Sequence, residues 1–271
     1  MARKIRIALA QVVANLGDVE SNIKNATYLI ENAARQNADV IVFPELCFTG
    51  YQLDILGKET CSLSDRYLNQ IDDSMSAAAK KGNIYVIAGL GVRDKDDYYN
   101  AVHIYDRSGK LAGEYRKVFS FGKEGEYFSQ GKDFPVFDTD FGKIGILICY
   151  DIGFPECARK LSNQGAEIIF IPSAWRIQDE NAWNLNVPSR ALENQCYTVG
   201  INHGGTFGTL RLFGRSLVCD PFGKPVLQLG YDEQMLGICD VDLDKVMELR
   251  NTKGYYQDYK KFNMSNLTLN K

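Results

Sequence analysis

The stretch Gly145–Glu156, GILICYDIGFPE, decides how this chain is read. An apolar run, Ile146-Leu147-Ile148, stops at Cys149, and polar and helix-opening residues follow at once. Pro155 suits the first turn of a helix. A strand that turns sharply into a helix exposes the residue at the turn. It also surrounds that residue with backbone N–H groups and the positive end of the helix dipole. Such groups stabilise a thiolate and later an oxyanion, so the position suits a nucleophile. The plainer reading is a small apolar residue ending a buried strand, because free cysteine is among the most buried residue types. That reading is kept for Cys47, Cys61, Cys157, Cys196, Cys219 and Cys239.

A nucleophilic Cys149 needs a base, since a thiol with a pKa of about 8.5 is only slightly ionised at neutral pH. The chain has two histidines. His103 alternates with Val102 and Ile104 as in a strand, and His203 sits in INHGG; neither lies in a recognisable catalytic motif. Glutamate is the next candidate. DVIVFPELCFTGY places Glu45 at the end of an apolar strand, after Pro44. A carboxylate desolvated there has a raised pKa and takes a proton from a thiol; a surface glutamate opening a loop is the alternative. A cation would complete the set, and GEYRKVFSFGKEGEYFSQG offers Arg116, Lys117 and Lys123.

Outward from these motifs, strand and helix signals alternate. KIRIALAQ reads as a first strand. Val19, Ile23, Ala26, Leu29, Ile30, Ala33 and Ala34 form one helix face, with Asp18 as its cap. ADVIVF is a buried strand. Tyr67, Ile71, Met75, Ala78 and Ala79 mark a second helix, ended by Gly82. Later come KIGILICY, a helix in PECARKLSNQG, AEIIFIP, and a helix around 181–195 that Pro188 bends or restarts. Segments 38–44 (ADVIVFP) and 166–172 (AEIIFIP) are alike, which hints at two similar halves. No linker divides the chain. The pattern predicts one α/β domain over 1–271, two stacked sheets with helices outside. A polar, aromatic tail over 251–271 either packs on a partner subunit or is a loose end.

Composition narrows the function. The chain has 271 residues, 24% charged, with a net charge of -3, so no nucleic-acid footprint is expected. No apolar stretch approaches the ~20 residues of a membrane span. Arg6 interrupts the opening run, so the start reads as a strand and not a signal peptide. Seven cysteines without a CxxC pair fit a reducing cytoplasm and argue against a zinc ribbon. G-x-S-x-G and P-loop motifs are missing, which disfavours a serine hydrolase and a nucleotide-binding enzyme.

In order, a Glu after VIVFP, a Lys in EYRK and a Cys in ILICYD resemble the nitrilase superfamily, carbon–nitrogen hydrolases with a Glu-Lys-Cys triad. Pro44–Tyr51, Tyr115-Arg116-Lys117, and Cys149-Tyr150-Asp151 with Phe154-Pro155-Glu156 resemble its three motifs. Arg190-Ala191, Glu193-Asn194, Gly214, Ser216, Asp220-Pro221 and Gly223 resemble its later landmarks. The resemblance implies a four-layer α-β-β-α sandwich that forms a homodimer or higher oligomer, with no cofactor and no metal. It implies Glu45 as general base, Cys149 as nucleophile, and Lys117 with the backbone N–H of Tyr150 as oxyanion donors. A second glutamate is expected ahead of Tyr127-Phe128 and Gly131; Glu124 fits that place, and Glu126 competes. One departure stands out: Val118-Phe119 occupies the place where many relatives carry a histidine. Cys-Tyr-Asp favours a small non-peptide amide as substrate. A nitrile or an N-carbamoyl compound is the alternative on the same triad, and a non-catalytic binding protein a further one. Trp175 is expected to line the pocket. Arg176 is expected either to hold a substrate carboxylate or to lie on the surface.

Overall fold

The computed structural model describes residues 3–252 and 254–262. In chain order the first half forms β1 (Lys4–Gln11), α1 (Val19–Arg35), β2 (Val40–Val42), a short α2 (Leu53–Leu56), α3 (Glu59–Gly82), β3 (Tyr85–Asp94), β4 (Asp97–Tyr105) and β5 (Leu111–Arg116). The second half opens with β6 (Val136–Asp138), β7 (Lys143–Ile146), α4 (Pro155–Asn163), β8 (Ile168–Ser173), α5 (Glu180–Asn194) and β9 (Tyr197–Asn202). A small hairpin, β10 (Thr206–Phe207) and β11 (Leu210–Arg211), follows. The half closes with β12 (Leu217–Cys219), β13 (Pro225–Gln228), β14 (Met235–Asp242), α6 (Asp244–Asn251) and α7 (Tyr255–Lys261).

Period-two burial sorts the first half into layers. Ile5, Ile7 and Leu9 of β1, Val40 and Val42 of β2, and Tyr85 and Ile87 of β3 join a core shared with the second sheet. The residues between them, Ala8, Ala10, Ile41, Val86 and Ala88, pack instead with Ile23, Leu29 and Ile30 of α1 and Ile71 and Met75 of α3. The second sheet is covered on its far side by Leu161 of α4 and Trp183 and Val187 of α5. The result is helices, sheet, sheet, helices, as the sequence predicts.

Strand order is β14-β1-β2-β3-β4-β5 in one sheet and β13-β12-β9-β8-β7-β6 in the other. The three central strands of each sheet are parallel: β1, β2 and β3 in the first, and β7, β8 and β9 in the second. The two alike segments, 38–44 and 166–172, supply the middle strand of each trio, so the hint of two similar halves has a topological counterpart. The last strand, β14, closes the first sheet by pairing antiparallel with β1, from Lys4 opposite Asp242 to Gln11 opposite Met235.

Local differences from the sequence reading have local causes. Helix α3 begins at Glu59, well before Tyr67, because its first turns bury Thr60 and Ser64, polar residues that break an apolar period. It is capped by Asn83 in the left-handed region (φ 50°), one residue beyond Gly82. Helix α5 runs through Pro188 without restarting. Part of the tail packs on its own chain: Tyr256 is buried, its N–H donates to Gln195 Oε1 (2.9 Å), and its ring lies 4.6 Å from the Arg250 guanidinium carbon. The rest of it, 263–271, lies outside the described residues. Among the described residues, no helix is long and apolar enough to cross a membrane.

Candidate active site

Glu45 leaves the end of β2 through Phe43 and Pro44 and is wholly buried. The chain bends hard there, with Leu46 at φ +46°. Gly89 of the neighbouring β3 makes room: a Cβ at 89 would lie 2.2 Å from the Pro44 carbonyl oxygen. The Glu45 backbone carbonyl accepts a hydrogen bond from His203 Nε2 (2.7 Å). Burial pushes His203 down to about 4, so its ring stays neutral and Nε2–H is the donor.

The Glu45 carboxylate is held on both oxygens. Oε1 accepts from Asn100 Nδ2 on β4 (2.6 Å) and from Lys117 Nζ (2.6 Å). Oε2 accepts from the backbone N–H of Ala174, just past β8 (2.9 Å). Lys117 follows β5, and its own N–H donates to the Asn100 carbonyl (2.8 Å). Its ammonium also reaches Glu124 Oε1 (2.8 Å). Glu124 is buried on the short 3-10 turn Gly122–Glu126 and accepts from Tyr51 Oη and the Phe121 N–H as well. Glu126, the competing glutamate, is exposed on that turn.

Cys149 sits at the other side, on a sharp bend with φ +47°. A non-glycine residue there is strained, as nucleophile turns often are. The helix does not start directly beneath it. A 3-10 turn, Cys149–Gly153, intervenes before α4 at Pro155. Asp151 of that turn is buried. It accepts from the N–H groups of Ile148 and Phe119 (both 2.9 Å) and from Tyr115 Oη (2.7 Å). Phe119 stacks on Phe154 with centroids 3.9 Å apart.

Charge in this site is set by burial and neighbours together. Burial pushes Glu45 above the usual carboxylate range, Lys117 pulls it back, and Glu124 pushes it up again. Burial disfavours the Lys117 ammonium, yet Glu124 and Glu45 outweigh that and hold it cationic well above the ordinary lysine range. Cys149 is pushed well above an ordinary thiol by burial and by Glu45, against the pull of Lys117. The sequence reading offered both a thiolate stabilised by nearby N–H groups and a thiol that gives its proton to Glu45. Burial first, then Glu45 and Glu124, favours the protonated thiol against the pull of Lys117.

A pocket of about 160 Å³ opens over Cys149, lined by Phe121, Tyr150, Ala174, Trp175 and Arg176 among others. Trp175 is fixed by Asn202, whose side chain accepts from the Trp175 N–H (2.7 Å) and donates to its carbonyl (3.1 Å). Arg176 is half-exposed at the rim. Its Nε pairs with Asp179, and its guanidinium carbon lies 5.0 Å from the Phe121 ring centroid. A wider basin of about 450 Å³ shares Phe121 and Arg176 as part of its lining.

The structure thus brings together Glu45, Lys117, Glu124 and Cys149, and it places Tyr150, Trp175 and Arg176 on the pocket wall. Sequence reasoning gave no site role to Asn100, Ala174, Asp151 or His203. His203 carried only the signal of a rare residue between strand and glycines. Neither histidine is part of the charged cluster. His103 lies away from it, between Asp72 of α3 and Glu114 of β5. A thiol beside a buried, ammonium-bridged carboxylate can be deprotonated in place, and the same ammonium can bind the oxyanion that results from its attack on a carbonyl.

Comparison with known proteins points the same way. The carbon-nitrogen hydrolase family profile matches residues 6–251. A 2-oxoglutaramate amidase from Bacillus subtilis is 34% identical over 95% of this chain and 98% of its own length. A mutant amidase from Nesterenkonia sp. AN1, solved with the acetamide moiety of fluoroacetamide added covalently at the active-site cysteine, superimposes with a TM-score of 0.85. It is 25% identical, covering 98% of this chain and 97% of its own. A carbon-nitrogen hydrolase from Helicobacter pylori G27 superimposes with a TM-score of 0.89 at 25% identity, over 99% of both chains. The chain belongs to the carbon-nitrogen hydrolase family of the nitrilase superfamily.

Proposed function

We propose that the protein hydrolyses a small non-peptide amide to a carboxylic acid and ammonia through a thioester on Cys149. One observation carries the reading: a single buried ammonium, Lys117, bridges Glu45 and Glu124 beside a strained cysteine at the base of a small pocket. The Cys149 sulfur forms a bond to the amide carbon while its proton passes to Glu45. The carbonyl electron pair moves to oxygen, held by Lys117 and the Tyr150 N–H. The carbon–nitrogen bond then breaks, and ammonia leaves with the proton from Glu45. Glu45 next takes a proton from water, the hydroxide adds to the thioester, and the carbon–sulfur bond breaks as Glu45 returns its proton to the sulfur, restoring the thiol and releasing the acid. Glu124 fixes the other side of Lys117.

Pocket size and charge support a short amide. A volume of about 160 Å³ is well below the ~300 Å³ lower end for drug-sized ligands. At 152 and 153, where a carbamoyl-amino-acid hydrolase would carry arginines, Ile152 is buried in the core and Gly153 lines the pocket without a side chain. Arg176 engages Asp179 through Nε, which leaves its terminal nitrogens to meet a carboxylate at the far end of a substrate. The relative named as a 2-oxoglutaramate amidase supports an amide of that kind. Seven free cysteines support a reducing compartment. Exposed Leu185 and Leu192 on one face of α5, and exposed Phe222, support a homo-oligomer.

The test is ammonia release from a panel of ω-amides bearing a carboxylate, plain aliphatic amides, N-carbamoyl compounds and nitriles. Cys149→Ala should abolish all release while leaving the protein folded. Arg176→Ala should raise KM about tenfold or more for the carboxylate-bearing amides alone. Turnover by Cys149→Ala would sink the thioester, and release from nitriles alone would sink the amide assignment.

A further inference from the structure

One buried carboxylate outside the charged cluster touches both of its halves. Lys117 comes from the end of β5, the edge strand of the first sheet, and Cys149 from the turn after β7 in the second. Asp151 is completely buried, and each of its hydrogen bonds lands beside one of these two residues. Oδ2 accepts from the N–H of Ile148, the residue before Cys149 (2.9 Å), and from Tyr115 Oη, two residues before Lys117 (2.7 Å). Oδ1 accepts from the N–H of Phe119, two residues after Lys117 (2.9 Å). An edge strand has a ladder on one side only, so nothing in its own sheet fixes the end of β5 from the other side.

We infer that Asp151 is a positioning residue that locks the Lys117 segment to the Cys149 turn across the gap between the sheets. This rests on the roles proposed above for Lys117 and Cys149. Three donors converge on one side chain, two of them backbone N–H groups that nothing but an acceptor can satisfy. Its carboxylate is therefore not replaceable by its own amide. Whichever way an asparagine is turned, its NH₂ faces an N–H group. The Lys117 segment keeps its backbone bonds to Asn100 and Gly131 but loses its tie to the Cys149 turn, and a misplacement of about 1 Å is enough to cost on the order of 100-fold in rate.

Two variants test this, Asp151→Asn and Tyr115→Phe, each read by thermal melting, by kcat and KM on the best amide, and by the rate at which iodoacetamide alkylates Cys149, followed by peptide mass. Asp151→Asn should lose on the order of 100-fold in kcat with KM changed less than about threefold. Its alkylation should slow at least about tenfold, since the thiol loses its alignment with Glu45 and Lys117. Tyr115→Phe, which removes one of the three bonds and no charge, should show the same pattern at about three- to tenfold. Two folded variants with kcat within about twofold of the parent overturn the inference, as does a loss confined to KM. Faster alkylation in Asp151→Asn overturns it too, because Asp151 would then act only as a charge that holds the thiol protonated. Should Asp151→Asn not fold, Tyr115→Phe decides. Should the parent release ammonia from no amide, the proposed function fails, and the alkylation rates alone decide the role of Asp151.

Discussion

Replacing Lys117 by methionine keeps most of the stem and removes the ammonium. In the native site Nζ lies 2.6 Å from Glu45 Oε1 and 2.8 Å from Glu124 Oε1, with all three side chains buried. Without the cation the two carboxylates face each other no farther apart than those two contacts laid end to end. At an effective dielectric of ~20 that repulsion is about 3 kcal/mol, which falls within the ~3–5 kcal/mol expected when one partner of a buried ionic group is deleted. A proton can take the place of the lost charge, shared between the two carboxyls. Their folded-state affinity for that proton is then raised above the unfolded value. The stability it contributes is present at low pH and is lost as pH rises through the raised value. Lys117→Met should therefore be about 3 kcal/mol less stable than the parent in urea unfolding near pH 8.5, with at least ~2 kcal/mol recovered near pH 5.5. Amide hydrolysis should fall at least ~100-fold at both pH values, since the oxyanion donor is missing at both. The reasoning is refuted if the stability gap is the same at both pH values, because then the ammonium is not what keeps the two carboxylates together.

Two further expectations concern regions away from the pocket. Burial works against charge on His103, but Asp72 at Nδ1 (2.9 Å) and Glu114 at Nε2 (3.0 Å) outweigh it and hold the ring at about 9. Its contribution is fully present below about pH 6.5 and is lost as pH rises through about 9, so unfolding free energy should drop by ~2–3 kcal/mol over that window. His103→Gln should flatten the drop, and an unchanged slope would rule the ring out as its source. On the proposed oligomer face, Leu192→Glu should convert a dimer to a monomer in light scattering. A parent protein already at the monomer mass would remove the basis for that face.

The sequence was most legible where one face of an element is buried by its own period. ADVIVFP and AEIIFIP read as strands because Val40, Ile41 and Val42, or Ile168 to Ile171, are apolar on both faces, and central parallel strands need that. Glu45 and Cys149 stood out because each follows such a strand, whereas Lys117 follows the half-exposed edge strand β5 and was one of three cations its segment offered. The start of α3 was not legible, since Thr60 and Ser64 are buried without being apolar; Ser64 Oγ donates to the Thr60 carbonyl (2.7 Å), while Thr60 Oγ1 finds no partner among the described residues. Nor were the partners of the charged cluster. Ala174 reaches Glu45 across 129 residues and His203 across 158, and backbone groups and neutral rings leave no pattern at such distances. The pairing of β14 with β1 is of the same kind: either strand would read alike beside any other edge.

The raised proton affinity of Cys149 looks unsuited to a nucleophile until charge is followed through the proposed reaction. At rest the thiol keeps its proton, and the Lys117 ammonium lies between the Glu45 and Glu124 carboxylates at the buried base of the pocket. During attack the thiol proton moves to Glu45, and the negative charge it gives up reappears on the oxyanion, again beside Lys117. The net charge of the buried site does not change. A resting thiolate beside two carboxylates would instead hold one more uncompensated negative charge before any substrate arrived, which low-dielectric surroundings make expensive. Burial therefore stores the proton on sulfur and releases it only when the carbonyl offers the electrons a new place. Glu45, made more basic than a solvated glutamate by the same burial, is the group able to receive it.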